Sequence, residues 1–287
     1  RCKKIFSMFL IIVLLFGILP VSALQGNVSD STTSRIVKEI VEMREESVKY
    51  FICEDGSYIA ATYSSPVHYE ESGKREEIDN TLTLNTKSGE AVYSTKNGFD
   101  VTIPQNLTSG RSITATNKGY TVSFKIKGDT NDLNMRTTAS VVDTDKLPSV
   151  VKMNDTVKMT GEVSASADIS SSGTLTEGQK IEKFNAEKMT VENQTSAVVY
   201  KNFLNRSDLE YVVTSNSLKE NIVVYAPQSE YIYRFDLNSD GLVPAEQADG
   251  SIKWTDPKNP DETVFFLDAP YMYDANDNES FDVSMSV

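Results

Sequence analysis

The chain has 287 residues, of which 28 are basic and 41 acidic, and its net charge at pH 7 is −13. An acidic surface repels phosphate backbones and anionic lipid headgroups, so this balance argues against nucleic-acid binding and against membrane attachment through a basic patch. The length is ample for a sizeable core and fits one or two all-β domains.

Residues 1–23 have the pattern of a secretory signal peptide. Three cationic side chains lie within residues 1–4, an apolar run follows from Ile5 to Leu19, and Val21-Ser22-Ala23 supplies small residues for cleavage. The apolar run of about fifteen residues is shorter than the roughly 20 that a membrane-spanning helix needs. We therefore expect a secreted chain that starts at Leu24 and has no membrane attachment.

The expected secreted chain has one cysteine, Cys53, and one histidine, His68. These two residues exclude an internal disulfide and a multi-histidine metal site. Cys53 shares a predicted strand face with Phe51, and His68 lies between Val67 and Tyr69, so both are typical of packed residues. No serine lies in a G-x-S-x-G motif, and we expect no enzyme; a carboxylate pair for glycoside hydrolysis is the alternative that spacing leaves open.

Residues 24–48 are predicted to be a polar leader followed by the one amphipathic helix of the chain. Ser34 is a suitable N-cap for a helix from Arg35 to Val48. The expected apolar stripe of this helix consists of Ile36, Val37, Ile40, Val41 and Val48.

Residues 49–163 are predicted to be a first β-rich region made of hairpins. Asp55-Gly56, Asn97-Gly98 and Lys118-Gly119 are turn signals between runs with a period of two residues. From Tyr120 to Lys127 apolar and polar residues alternate without a break. Residues 164–180, rich in serine and glycine, are predicted to be a surface loop or domain boundary.

Residues 181–287 are predicted to be a second β-rich region, organised around a three-strand meander near 208–213, 218–225 and 231–237. Hairpins with one apolar face need a second sheet to cover that face, so we predict an all-β antiparallel sandwich of one or two units. The sequence stops within the alternating run from Phe281 to Val287. We therefore expect the front portion of a longer protein.

Three segments share features with a known group of proteins. Residues 39–81 contain Arg44-Glu45-Glu46, Asp55-Gly56, Pro66-Val67-His68-Tyr69 and Glu77-Ile78-Asp79-Asn80-Thr81, and further matching runs lie within 200–224 and 240–275. Together they resemble the N-terminal region of large secreted Gram-positive surface proteins of the RHS/YD-repeat or DNRLRE-module type. The resemblance implies an extracellular, cell-wall-associated scaffold whose partners are downstream modules of the same polypeptide, and it implies no catalytic residue.

Two binding sites are candidates. Asp236, Asn238 and Asp240 fit the D-x-N-x-D-G opening of a calcium loop, although the twelfth position of that loop is Gln247 and no helix flanks it. A hairpin turn explains the same residues.

Aromatic side chains in β-sandwiches can also stack on sugar rings, and Trp254, Tyr271 and Tyr273 are the candidates. Trp254 lies next to a turn, so we expect it to be exposed, whereas alternation favours core packing for Tyr231 and Tyr233. The function that we predict is a non-catalytic scaffold; the alternative is a carbohydrate-binding or adhesive module, assisted by calcium.

Overall fold

The computed structural model describes residues 4–11, 34–84, 91–94, 96–107, 111–127, 137–144, 147, 176–204, 206–227, 229–276 and 278–286. The strands of this part are β1 Lys4–Ile11, β2 Ile36–Glu39, β3 Val48–Cys53, β4 Tyr58–Thr62, β5 His68–Glu71, β6 Lys74–Glu77, β7 Thr83–Leu84, β8 Ala91–Ser94, β9 Asp100–Pro104, β10 Ile113–Asn117, β11 Tyr120–Lys127, β12 Ser140–Val142, β13 Ser196–Leu204, β14 Ser207–Val213, β15 Ser217–Val224, β16 Arg234–Ser239, β17 Val243–Glu246, β18 Ile252–Asp256, β19 Asn259–Leu267, β20 Tyr271–Asp274 and β21 Glu279–Ser280. A 3₁₀ turn spans Val41–Met43, and helix α1 spans Glu177–Met189.

The chain divides into two compact units. Unit 1 comprises Arg1–Val13, Glu77–Val157 and Asn193–Val287, and unit 2 comprises Leu14–Glu76 and Lys158–Glu192. Most of the predicted boundary at 164–180 lies outside the described residues. Each unit therefore draws on segments that are far apart in sequence.

Unit 1 is built from two antiparallel sheets. The larger sheet has the strand order β12-β13-β14-β15-β1-β19-β18-β17, with β20 also paired to β1 and β21 paired to β20. The smaller sheet has the order β16-β11-β10-β9-β8-β7. All described pairings in both sheets are antiparallel.

One hydrophobic core contains side chains from both sheets of unit 1. The smaller sheet contributes Ile103, Val122 and Phe124, and the larger sheet contributes Tyr211 and Ile222. Burial alternates along β11, because alternate side chains point to opposite faces of a strand. The prediction of an all-β antiparallel sandwich is confirmed.

The predicted meander is correct for two strands and wrong for the third. β14 and β15 pair along their whole length, and both are buried throughout. The third strand begins at Arg234 and pairs with β11 of the other sheet, with Leu237 opposite Phe124. Tyr231 and Tyr233 precede it and pack, partly buried, against the core, as their alternation predicts.

The predicted helix from Arg35 to Val48 is also wrong. This segment forms β2, the 3₁₀ turn and the start of β3, and Ile36 lies opposite Cys53 in the β2–β3 pairing. Branched residues such as Val37 and Val41 fit a strand as well as a helix, so the pattern alone did not decide. Both are exposed, which shows that no apolar stripe is buried there.

Unit 2 contains the described helix, α1, beside the three-stranded sheet β2-β3-β4. The core of this unit includes Phe51, Cys53 and Met189, so the prediction of a buried thiol is confirmed. Asn185 connects α1 to the start of β2. Its Oδ1 accepts a hydrogen bond from the Ile36 N–H at 2.8 Å, and its Nδ2 donates one to the Ser34 carbonyl at 2.9 Å. Within the described chain, no helix is both long and apolar enough to span a bilayer.

A capping box begins α1. The Thr176 hydroxyl accepts from the Gln179 N–H at 3.3 Å, and the Gln179 side chain accepts from the Thr176 N–H at 2.9 Å. We expect Thr176→Ala to lower the free energy of unfolding by about 1 kcal/mol, as measured by urea titration. The exposed helix residue Glu182 gives the control: Glu182→Ala should change it by less than about 0.5 kcal/mol, and equal effects would contradict the cap.

Candidate functional site

The structure does not gather the predicted calcium ligands into a loop. Asp236 and Asn238 lie on the exposed face of β16, and two residues of extended strand span about 6.8 Å. A calcium loop of this type instead folds tightly around the ion, so that its ligand oxygens all lie about 2.3–2.6 Å from it. Asp236 instead faces β11, with its carboxylate 3.4 Å from the Lys127 ammonium, and Asp240 lies in the following turn. The hairpin alternative accounts for these residues without an ion, and calcium binding stays a prediction.

The expectation that Trp254 is exposed is wrong. Trp254 is 1% exposed and belongs to the core of unit 1, where it lies opposite Phe265 across β18 and β19. Its neighbour Ile252 is buried on the same face of β18. The turn that suggested exposure begins beyond Asp256, after the strand, and a sugar ring cannot reach the buried indole.

The other two predicted aromatic residues lie together and are joined by a third. We call Tyr271, Tyr273 and Phe281 the aromatic cluster. The ring centroids of Tyr271 and Tyr273 are 6.1 Å apart with an interplanar angle of 26°, and those of Tyr271 and Phe281 are 6.2 Å apart. Tyr273 is buried, Tyr271 is half-buried and Phe281 is 73% exposed. Only Tyr271 and Phe281 therefore present ring surface for stacking.

A buried charged group lies beside the aromatic cluster. The Lys219 ammonium is 5.9 Å from the centroid of the Tyr271 ring, and Lys219 is 1% exposed. Burial lowers the pKa of Lys219 to about 8, against the opposing attraction of Glu210. Asn221 donates to Glu210 at 3.4 Å. These groups therefore interact within the sheet, and polar residues in a predicted buried strand were the only sign of them in the sequence.

A second buried group lies on the core side of the same strand. Tyr211 donates a hydrogen bond to Glu220, which is buried. Burial raises the pKa of Glu220 to about 7, although the hydrogen bond from Tyr211 opposes this shift. Perturbed carboxyls are common at active sites, but this one lies between two sheets and is only 3% exposed.

Asn80 has a structural role in unit 1. It is completely buried, and its side chain donates to the Gln194 carbonyl at 2.7 Å and accepts from Asn97 at 2.8 Å. Gln194 in turn donates to the Ile78 carbonyl at 2.9 Å. This network gives the buried side chain of Asn80, in the Asp79-Asn80-Thr81 motif, a structural role.

His68 has a comparable role in unit 2. It is 1% exposed, and its Nδ1 is 2.6 Å from the Glu45 carbonyl. Burial lowers the pKa of His68, so the neutral ring donates from Nδ1. Arg44 binds Glu39 through two hydrogen bonds, at 2.7 and 3.0 Å. The prediction that His68 is packed and hydrogen-bonded is confirmed.

The surface of unit 1 also carries a shallow pocket of about 340 Å³. Hydroxyl and amide groups dominate its lining, which includes Thr81, Thr144, Asn193, Thr195 and Ser196. Asp143 is the one titratable side chain among the described lining residues. Such a pocket can form hydrogen bonds, but this lining offers no paired acid and base for hydrolysis.

Comparison with known proteins gives a distant relative. The chain is 23% identical over 244 residues to a protein of Geobacillus stearothermophilus named "Wall-associated protein", and the match covers 84% of this chain and 76% of that protein. No protein-family model matches the chain, and no solved structure matches it significantly. This similarity supports, at a coarse level, a cell-wall surface protein of a Gram-positive bacterium.

Proposed function

We propose that this chain is a non-catalytic, extracellular scaffold region of a cell-wall-associated bacterial protein. The observation that carries the proposal is the match to the wall-associated protein, which runs along 84% of the chain. The structure supports it in a second way. The strongly shifted groups Lys219 and Glu220 and the polar network around Asn80 are buried within a sandwich, which leaves almost none of their surface for a substrate to contact.

We further propose that the scaffold supports other modules of the same polypeptide. The resemblance to RHS/YD-repeat and DNRLRE-type proteins favours a region that precedes downstream modules of the same polypeptide. A sandwich with one extensive shared core provides a rigid base for such modules. Its chemical partners would then be the wall and the rest of its own chain.

Cell fractionation tests the wall association directly. The full chain, with its leader, is expressed in a Gram-positive host, and the chain is quantified in the wall, membrane and medium fractions. We expect it in the wall fraction. A matched control carries residues 1–23 fused to an unrelated secreted protein and should appear in the medium. Recovery of the full chain only from the medium would contradict the proposal.

The net charge of the chain leads to a second test, which measures how salt affects binding to the wall. Gram-positive walls carry anionic polymers, and the chain has a net charge of −13. Binding to purified walls should therefore not weaken when sodium chloride rises from about 0.05 to about 0.5 M, because salt screens repulsion here. Release of the chain by salt would show that a cationic patch on the chain binds the wall. The proposal includes no such patch, so this result would contradict it.

The aromatic cluster favours carbohydrate binding as a second candidate. The Phe281 ring is 73% exposed and tilted beside the half-buried Tyr271 ring. If the cluster binds cell-wall polysaccharide, Phe281→Ala should weaken binding about three- to tenfold, the value of one aromatic stacking contact. Isothermal titration measures this. The control is Val243→Ala, an exposed apolar residue on β17, and equal binding by all three proteins would contradict the candidate.

A further inference from the structure

Strand β1 occupies an internal position of the larger sheet. It pairs with β15 over eight residues, from Lys4 opposite Val224 to Ile11 opposite Ser217, while β14 pairs with the other edge of β15. On its far side β1 pairs with β19 and β20. No other described strand connects β15 to that part of the sheet.

The same strand lies within the predicted signal peptide, residues 1–23. Removal of the leader therefore opens a slot, which we define as the edge of β15 together with the facing edges of β19 and β20. The edge of β15 is about 26 Å long at roughly 3.3 Å per residue. Alternate residues along it would present backbone N–H and C=O groups without a strand partner.

The edge of β15 is suited to pairing again. Leu218, Ile222 and Val224 face the core and are at most 3% exposed. Natural edge strands often avoid pairing by means of proline, bulges or inward-pointing charges. β15 contains no proline, and its pairing with β14 has no register shift. Its inward carboxylate, Glu220, is already engaged by Tyr211 of β14 and does not block the slot.

We propose that the secreted chain takes up a separate β-strand in this slot, antiparallel to β15 and in the register that Lys4–Ile11 occupies in the full chain. The donor is an extended segment of another polypeptide. It has apolar residues at the positions opposite Leu218 and Ile222, where the full chain has Leu10 and Phe6, and a small polar residue opposite Asn221, where the full chain has Ser7. This is β-strand addition, in which main-chain hydrogen bonds give affinity and alternate side chains give specificity. The inference rests on the export that the proposed function also requires.

Peptide binding tests the slot. The probe is a fluorescent peptide of the Lys4–Ile11 sequence with added solubilising lysines. Anisotropy titration should show saturable one-to-one binding to the chain 24–287 and none to the full chain, where β1 fills the slot. A control peptide with Ser7→Pro and Phe9→Pro should bind at least about tenfold more weakly, because proline lacks the N–H of the ladder. Equal binding to both chains, equal binding of both peptides, or dimers of 24–287 that the peptide does not dissociate would overturn the proposal.

Disulfide trapping tests the register. Ser7 and Asn221 are directly opposite. Opposed Cα atoms in antiparallel strands are roughly 4.5–5.5 Å apart, which a disulfide can bridge. A Ser7→Cys peptide should therefore crosslink to the Asn221→Cys chain, whereas a Phe6→Cys peptide, with its cysteine one position out of register, should not, because successive strand positions alternate between faces. Equal trapping of both peptides would overturn the register.

If the chain 24–287 does not fold alone, a cleaved full chain provides the test. A protease site is inserted within residues 24–33, and the folded full chain is cut there. The leader fragment should remain bound on gel filtration and exchange with labelled peptide. Prompt loss of the fragment from a chain that stays folded would overturn the proposal. Wall fractionation involves no peptide, so failure of the proposed function is distinguishable from failure of this inference.

Discussion

Trp254→Ala should lower the free energy of unfolding of the full chain by about 3–5 kcal/mol, the range for removing a large aromatic side chain from a packed core. Trp254 is 1% exposed and lies opposite Phe265 inside the core of unit 1. Alanine would leave a cavity there that the two sheets cannot fully close. Urea titration followed by far-ultraviolet circular dichroism measures the change, since the variant has no tryptophan fluorescence.

A matched substitution separates core packing from a general effect of truncation. Val243 lies on β17, the strand next to Trp254, and is 50% exposed. Val243→Ala should change the free energy of unfolding by no more than about 0.5 kcal/mol. If Trp254→Ala costs less than about 1 kcal/mol, the buried position of the indole is contradicted. Loss of sugar binding in Trp254→Ala would not identify a sugar site, because unfolding produces the same loss.

Local patterns predicted the parts of the fold in which one strand face is buried. From Tyr120 to Lys127, apolar and polar residues alternate, and the structure shows this strand with alternating burial. Alternation works there because the period of a strand is two residues. The same rule could not predict whether Trp254 lies on the core face of its strand, since a residue near a turn can lie on either face of the strand.

Two errors concern the helices, and they have different physical causes. The segment from Arg35 to Val48 has branched apolar residues at spacings that suit a helix, yet the pairing of Ile36 with Cys53 makes it a strand. That pairing depends on residues outside the segment. The true helix, Glu177–Met189, is polar over most of its surface and buries only Asn185 and Met189. Its capping box, Thr176 to Gln179, was the signal present in the sequence.

The larger arrangement could not be predicted from local patterns. The third strand of the expected meander joins the opposite sheet, with Leu237 opposite Phe124, although nothing between residues 225 and 233 marks the change of sheet. The aromatic cluster was predicted in part: Tyr271 and Tyr273 are neighbours on β20, but Phe281 joins them only because the β20–β21 hairpin brings the chain back.

Glu220→Gln should remove most of the pH dependence that this carboxyl gives to stability. Burial raises the pKa of Glu220 to about 7 in the folded chain, from a usual value of 4.5. The unfolded state therefore binds fewer protons than the folded state between these two pH values. The contribution of Glu220 to stability is therefore most favourable below about pH 4.5, falls as pH rises towards 7 and is level above it. At 1.36 kcal/mol per pH unit, the loss is about 3 kcal/mol.

Glutamine keeps the shape of the side chain and can still accept the hydrogen bond from Tyr211, but it carries no charge at any pH. The variant should be more stable than the parent by about 3 kcal/mol at pH 8 and within about 1 kcal/mol of it at pH 4. Urea titrations at both pH values measure the difference, in which the effects of all other carboxyls cancel. Glu230→Gln, an exposed control, should change stability by less than about 0.5 kcal/mol at either pH. A difference for Glu220→Gln that is the same at both pH values would show that Glu220 has the same pKa in the folded and unfolded chains, which would contradict the raised pKa.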